Sequence, residues 1–246
     1  MNQDVAAHDA AVNARGGDTA RGRFKDRLRD GAHAVVRPIV RGLARAGVGP
    51  DAVSVFGLLF SLGAGLFFLE GAFRWGSVAL MAAGLCDVLD GELARETRGM
   101  STFGAFLDST LDRIAEGAVL IGIAGFYLAN LVELAHSPSR VLEELSRGLE
   151  PRTWAVVTLT AMVAILGSFL VSYTRARAEG LGLDCKVGWF ERPERVVLLI
   201  AAGWFGVGPV MPGALLLLAL LSLFTAAQRI RHVYKITRPG SPEARS

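Results

Sequence analysis

Residues 75–132, WGSVALMAAGLCDVLDGELARETRGMSTFGAFLDSTLDRIAEGAVLIGIAGFYLANLV, set two apolar stretches on either side of a polar turn that carries Asp87, Asp90, Asp108 and Asp112. The flanks are greasy enough to sit in lipid, yet four acids stand at their threshold. Working outward, the same apolar character recurs. Ala52 to Leu69, Thr153 to Thr174 and Val196 to Gln228 carry no charge at all, the last broken by the turn-like GVGPVMPG at 206–213. A helix needs about 20 apolar residues to cross roughly 30 Å of hydrocarbon, and buried soluble helices seldom run so far without a charge. The chain of 246 residues, 52% hydrophobic, therefore reads as a membrane protein.

The fold predicted is all-α and polytopic, with six membrane spans at roughly 52–70, 75–97, 102–131, 152–175, 193–208 and 213–231. An amphipathic helix precedes them. In RFKDRLRDGAHAVVRPIVRGLARAG, residues 23–47, Phe24, Leu28, Val35, Ile39 and Leu43 recur at steps of three, four or seven. Arg37, Arg41 and Arg45 follow a step of four on another face, as in a helix lying on lipid phosphates. Residues 1–21 are polar and small, without the apolar core of a secretory signal, and are expected to be a disordered tail. The membrane domain then covers 22–238 and a short tail 239–246.

Lysine and arginine set the orientation. One side of the membrane receives the arginine-rich N-terminal helix, RETR at 95–98, the segment 175–195 and QRIRHVYKITR at 228–238. The other receives Arg74 and the 132–152 loop, where Arg140, Arg147 and Arg152 are offset by Glu133, Glu143, Glu144 and Glu150. Both termini and the aspartates are thus expected at the cytoplasmic face of the cell membrane. Membrane lipids, not nucleic acid, are the partners expected of these basic residues. Cys86 and Cys185 fit neither a disulfide framework nor a CxxC site, and the four histidines lie outside the apolar runs, which speaks against histidine catalysis.

Asp87 and Asp90 are three apart and Asp108 and Asp112 four apart, so each pair shares a helix face; a tight turn between neighbouring spans brings the pairs together. Four carboxylates in a partly dry pocket repel unless protonated, paired with arginine or bridged by metal. Two divalent ions match the charge, and hard oxygen ligands select Mg²⁺ or Mn²⁺. A structural network with Arg95, Arg98 and Arg113 is the plainer reading, but it leaves the small residues without a use. Gly91 follows Asp90, Ala94 lies one turn on, and Gly104 precedes Asp108 by one turn. A helical glycine costs about 1 kcal/mol relative to alanine, so the space it opens beside the acids needs a purpose.

The stretch DVLDGELARETRGMSTFGAFLDSTLD resembles the signature of the CDP-alcohol phosphotransferase family. Its eight fixed positions are met by Asp87, Asp90, Gly91, Ala94, Arg95, Gly104, Asp108 and Asp112. The resemblance implies that Asp87, Asp90, Asp108 and Asp112 contact a pair of divalent ions and that Asp112 is the general base. It implies that Asp90, Gly91, Ala94, Arg95, Gly104 and Asp108 line a cytidine-diphosphate pocket, with CDP-diacylglycerol as donor, and that the enzyme is a homodimer.

For the acceptor, Arg175, Arg177, Lys186, Arg192 and Arg195 gather near the acids, and guanidinium suits bidentate phosphate binding. A phosphorylated alcohol is therefore expected rather than choline, which calls for an aromatic cage. RARAEGLGLDCKVGWFERPER, residues 175–195, resembles the branch of the family that makes phosphatidylinositol phosphate or its archaeal counterpart from inositol 1-phosphate. By that resemblance Arg177, Arg192 and Arg195 bind the acceptor phosphate. Glycerol 3-phosphate is the alternative acceptor. A cation transporter is the alternative of another class, although it would more often hold its acids near mid-membrane and show internal repeats.

Overall fold

A computed structural model describes residues 37–96, 101–139, 141–142 and 151–238. The tails 1–21 and 239–246, the first turns of the surface helix with Phe24, Leu28 and Val35, Arg98, and residues 140 and 143–150 of the 131–152 loop lie outside the described residues. Among the described residues the secondary structure is helical, with no strand.

Helix α1 (37–45) is the part of the expected surface helix that is described. It turns Val40, rather than Ile39, inward onto Val53, Leu89 and Leu93, while Arg37, Arg41 and Arg45 stay exposed. Gly47 ends it at φ 72°, with Val48 N–H donating to the Leu43 carbonyl, and Pro50 starts the next helix. Glycine is needed at such a left-handed stop.

Six longer helices follow: α2 Pro50–Leu69, α3 Phe73–Glu96, α4 Thr102–His136, α5 Pro151–Glu179, α6 Arg192–Trp204 and α7 Val210–Thr237. Among the described residues four stretches, Pro50–Leu69, Thr102–His136, Arg152–Glu179 and Val210–Thr237, are long and apolar enough to cross a membrane. The other two expected spans fall short for different reasons. α3 has the length, with 24 residues, but its last turns carry Asp87, Asp90, Glu92, Arg95 and Glu96. α6 has only 13 residues, about 20 Å at 1.5 Å per residue. It stops at Trp204, before the turn in which Gly206 takes φ 80°.

Among the described residues each long helix packs on two others, in the closed order α2, α3, α6, α7, α5, α4 and back to α2. Phe68, Leu120, Ile123, Leu199, Met211, Leu215 and Leu218 fill the interior. Phe56, Leu66, Ile121, Leu159 and Leu220 face outward, an arrangement that carries no penalty in hydrocarbon. So do Tyr173, Trp189, Trp204 and Tyr234, as an interfacial aromatic belt requires. Phe73, Phe126, Tyr127 and Trp154 form edge-on and tilted ring contacts at the end away from the aspartates.

α2 and α4 approach closely at glycines. A Cβ on Gly65 would stand 2.7 Å from the Ala118 carbonyl oxygen, and one on Gly122 would run into the Gly65 carbonyl. These glycines let α4 lie against α2, which carries the aspartates of α4 beside the start of α2.

Candidate active site

The acids converge because of helix direction. α3 ends and α4 begins at the same end of the bundle, so Asp87 and Asp90 of one helix meet Asp108 and Asp112 of the other. All four line one small cavity of about 20 Å³, with Ser54 and Ser61 of α2 and Arg192 of α6. Asp90 is the most buried of them, and Ser54 Oγ donates to its Oδ2 at 2.7 Å. Arg192 Nη1 lies 2.8 Å from Asp87 Oδ1 and 2.6 Å from Asp112 Oδ1. Carboxylates from two helices that share one nitrogen stand within reach of a single cation.

That cation is a guanidinium here. Among the described residues no three His, Cys, Asp or Glu side chains surround a common point as a ready-made metal cage; Arg192 stands between two of the four acids instead. The donor set nevertheless fits a hard divalent ion. It offers oxygen only, on well-anchored helix ends, with Asp90 oriented by a hydroxyl from a third helix. Arg192 also lines the wider cavity next door, which gives its side chain room to withdraw.

This second cavity, about 520 Å³, shares Asp87, Asp108, Asp112 and Arg192 with the first. Its far wall is basic, with Arg175, Arg195 and Arg229, and Glu179 and Glu191 are placed among them. Arg175 pairs with Glu179 at 2.8 Å and with Glu191 at 3.7 Å. Arg229 is buried and donates to the Val187 carbonyl at 2.8 Å, the Val171 carbonyl at 2.5 Å and Glu191 Oε1 at 2.8 Å. Gly188, at φ 130° under Thr225 and Arg229, completes the loop that Arg229 holds down.

Of the three arginines expected at the acceptor phosphate, Arg192 and Arg195 line this cavity and Arg177 does not. Arg177 is exposed, two residues beyond Arg175, on another face of α5. Arg195 is buried and bound to Glu116 of α4.

Gly91, Ala94, Arg95 and Gly104 lie outside the wall of the small acid cavity. A Cβ on Gly91 would meet nothing within 4 Å, which leaves open space directly after Asp90. Ala94 is buried, and Gly104 is buried against Asp51 and Ser101. Arg95 pairs with Glu92 and lines a separate groove of about 160 Å³ with Arg37, Val40 and Glu96.

Sequence reasoning missed Ser54 and Arg229. Ser54 had no local signal. Arg229 had one, as the first charge after the uncharged run that ends at Gln228, but position alone reads as an inside-positive flank. Replacing Ser54 with Ala is expected to weaken Mn²⁺ binding about tenfold, the usual cost of losing a side chain that orients a ligand. Titration of the purified protein with Mn²⁺, followed by electron paramagnetic resonance, measures it.

The profile of the CDP-alcohol phosphatidyltransferase family matches residues 48–227. Phosphatidylinositol phosphate synthase of Mycobacteroides abscessus is 36% identical over 212 residues, covering 84% of this chain and 86% of that protein. Archaetidylinositol phosphate synthase of Methanothermobacter thermautotrophicus is 33% identical over 207 residues, covering 81% and 92%. The crystal structure of Mycobacterium tuberculosis phosphatidylinositol phosphate synthase with CDP-DAG bound is similar at a TM-score of 0.67 and 32% identity, covering 84% of this chain and 96% of that one. The same enzyme in complex with manganese and citrate is similar at a TM-score of 0.66. With its family profile, its relatives and its cluster of four aspartates in agreement, the chain belongs to the CDP-alcohol phosphatidyltransferase family, a family of membrane-bound, metal-dependent transferases.

Proposed function

We propose that this enzyme transfers the phosphatidyl group of CDP-diacylglycerol to inositol 1-phosphate, forming phosphatidylinositol phosphate and CMP. The observation that carries this reading is the shared wall of Asp87, Asp108, Asp112 and Arg192 between the acid cluster and a basic cavity. A donor diphosphate has its place at the acids, and a phosphorylated acceptor has its place beside the arginines.

Asp87, Asp90, Asp108 and Asp112 would hold two divalent ions, Mg²⁺ or Mn²⁺. Ions held there would supply positive charge to offset the diphosphate and the charge that develops on departing CMP. Gly91 leaves room for the donor to approach, and Ala94, Arg95 and Gly104 border its cytidine end. Asp112 lines both cavities and takes the proton of the acceptor hydroxyl as its oxygen attacks the β-phosphorus. The new O–P bond forms as the bond to CMP breaks. Arg175, Arg192, Arg195 and Arg229 supply the positive charge that draws the acceptor phosphate; the nitrogens of Arg195 and Arg229 are held by the protein and act through their field, while Arg175 and Arg192 have the guanidinium geometry to contact it.

α3 and α6 complete a six-span bundle. Lysine and arginine placement supports both termini and the site on that side. The enzyme works as a homodimer in the cell membrane, with residues 22–238 as the membrane domain between tails 1–21 and 239–246.

The test is CMP release by purified protein with CDP-diacylglycerol and Mg²⁺, offered inositol 1-phosphate, glycerol 3-phosphate, inositol or serine. Turnover with inositol 1-phosphate is expected. Turnover with glycerol 3-phosphate in its place overturns the acceptor assignment and leaves the family chemistry intact.

A further inference from the structure

α4 and α6 face each other across the bundle without their backbones packing: among the described residues they are not neighbours in the helix ring. Two ion pairs bridge the gap. Arg192 reaches Asp112 at 2.6 Å, and one turn deeper Arg195 Nε and Nη2 reach Glu116 Oε1 and Oε2 at 2.5 and 3.2 Å. The outer rung borders the cavities. The inner rung is shut off, with side chains 1% and 5% exposed. Arg195 Nη1 donates to the Phe190 carbonyl at 3.3 Å, so all three of its nitrogens are held while it still lines the basic cavity.

We propose that Glu116 is a positioning residue for acceptor binding, acting through Arg195. A buried ion pair is a poor device for stability alone, since apolar side chains of similar volume serve as well or better. What the Glu116–Arg195 pair adds is a defined length and direction. The bidentate grip sets the register of α6 against α4, and with it the place of Arg192 one turn away and of the Arg195 guanidinium in the cavity wall. The donor side depends on this grip less, because α6 touches the acids only through Arg192, at Asp87 and Asp112. Asp87, Asp90 and Asp108 are carried by α3 and α4, and Asp90 is braced by Ser54 of α2.

This inference rests on the acceptor reading above. In Glu116→Gln the KM for inositol 1-phosphate is expected to rise about tenfold, the scale of one charge-assisted contact loosened, while the KM for CDP-diacylglycerol and the Mn²⁺ affinity stay within about twofold. Glu116→Asp keeps the charge on a shorter arm and recovers part of the acceptor KM. A structural role alone lowers thermal stability and the active fraction and leaves the acceptor KM unchanged, which overturns the proposal. If Glu116→Gln does not fold, Glu116→Asp decides on its own, because an acceptor KM equal to wild type overturns the proposal and a selective rise supports it. Failure of the wild type to use inositol 1-phosphate defeats the function reading instead, so the two failures are distinguishable.

Discussion

Replacing Asp112 with Asn is expected to lower CMP release about 10³-fold, within the usual range for a lost general base. The substitution keeps the shape of the side chain and removes its ability to accept a proton. It also removes the charge that faces Arg192 Nη1 at 2.6 Å. Asp87, Asp90 and Asp108 remain, so CDP-diacylglycerol should still bind, and a thermal-shift titration with the lipid reads that directly. The two readouts together separate enzyme from transporter. A cation carrier would show altered ion flux in Asp112→Asn and no CMP release in either form. Full turnover in the variant removes Asp112 from the proton-transfer role.

Removal of divalent metal should have an effect of similar size. Exhaustive treatment with EDTA is expected to lower CMP release at least about 10³-fold, the rate equivalent of several kcal/mol of charge stabilisation, with recovery on adding Mg²⁺ or Mn²⁺. The reason lies in the charge count of the small cavity, where four carboxylates face Arg192, and Arg113 reaches only Asp112, at 3.4 Å. A donor diphosphate adds more negative charge, and two guanidinium groups cannot balance it. Unchanged turnover after chelation would leave that repulsion without a counterweight and would sink the proposed chemistry. Asp108→Asn is the matching variant, expected to lose Mn²⁺ binding along with turnover.

Much of the site was legible in the chain because its parts are local. Asp87 and Asp90, and Asp108 and Asp112, are spaced so that helix geometry alone places each pair on one face. The few residues between the end of α3 at Glu96 and the start of α4 at Thr102 keep the two pairs at one end of the bundle. The uncharged runs marked the long membrane helices for the same reason: hydropathy is a property of consecutive residues. Run length is a looser guide to helix length. The apolar residues around 193–208 form a helix only as far as Trp204, because Phe205 and Gly206 turn the chain, and run length does not register a turn made by apolar residues.

The basic wall was legible only as composition. Arg175 and Arg177 lie two residues apart on one helix, and only Arg175 reaches the cavity, a matter of helix rotation. Glu116 and Arg195 are 79 residues apart, Arg192 and Asp87 105 apart, and Ser54 and Asp90 36 apart. No local rule pairs residues over such separations.

The sequence by itself determined that this is a helical membrane protein with paired acids at a helix–helix turn, because periodicity and hydropathy act between near neighbours in the chain. Tertiary structure alone decided which cation stands among those acids, which hydroxyl braces them and which arginines face the acceptor cavity. Those choices follow from how six helices close into a ring, and that closure is set by contacts between residues far apart in sequence.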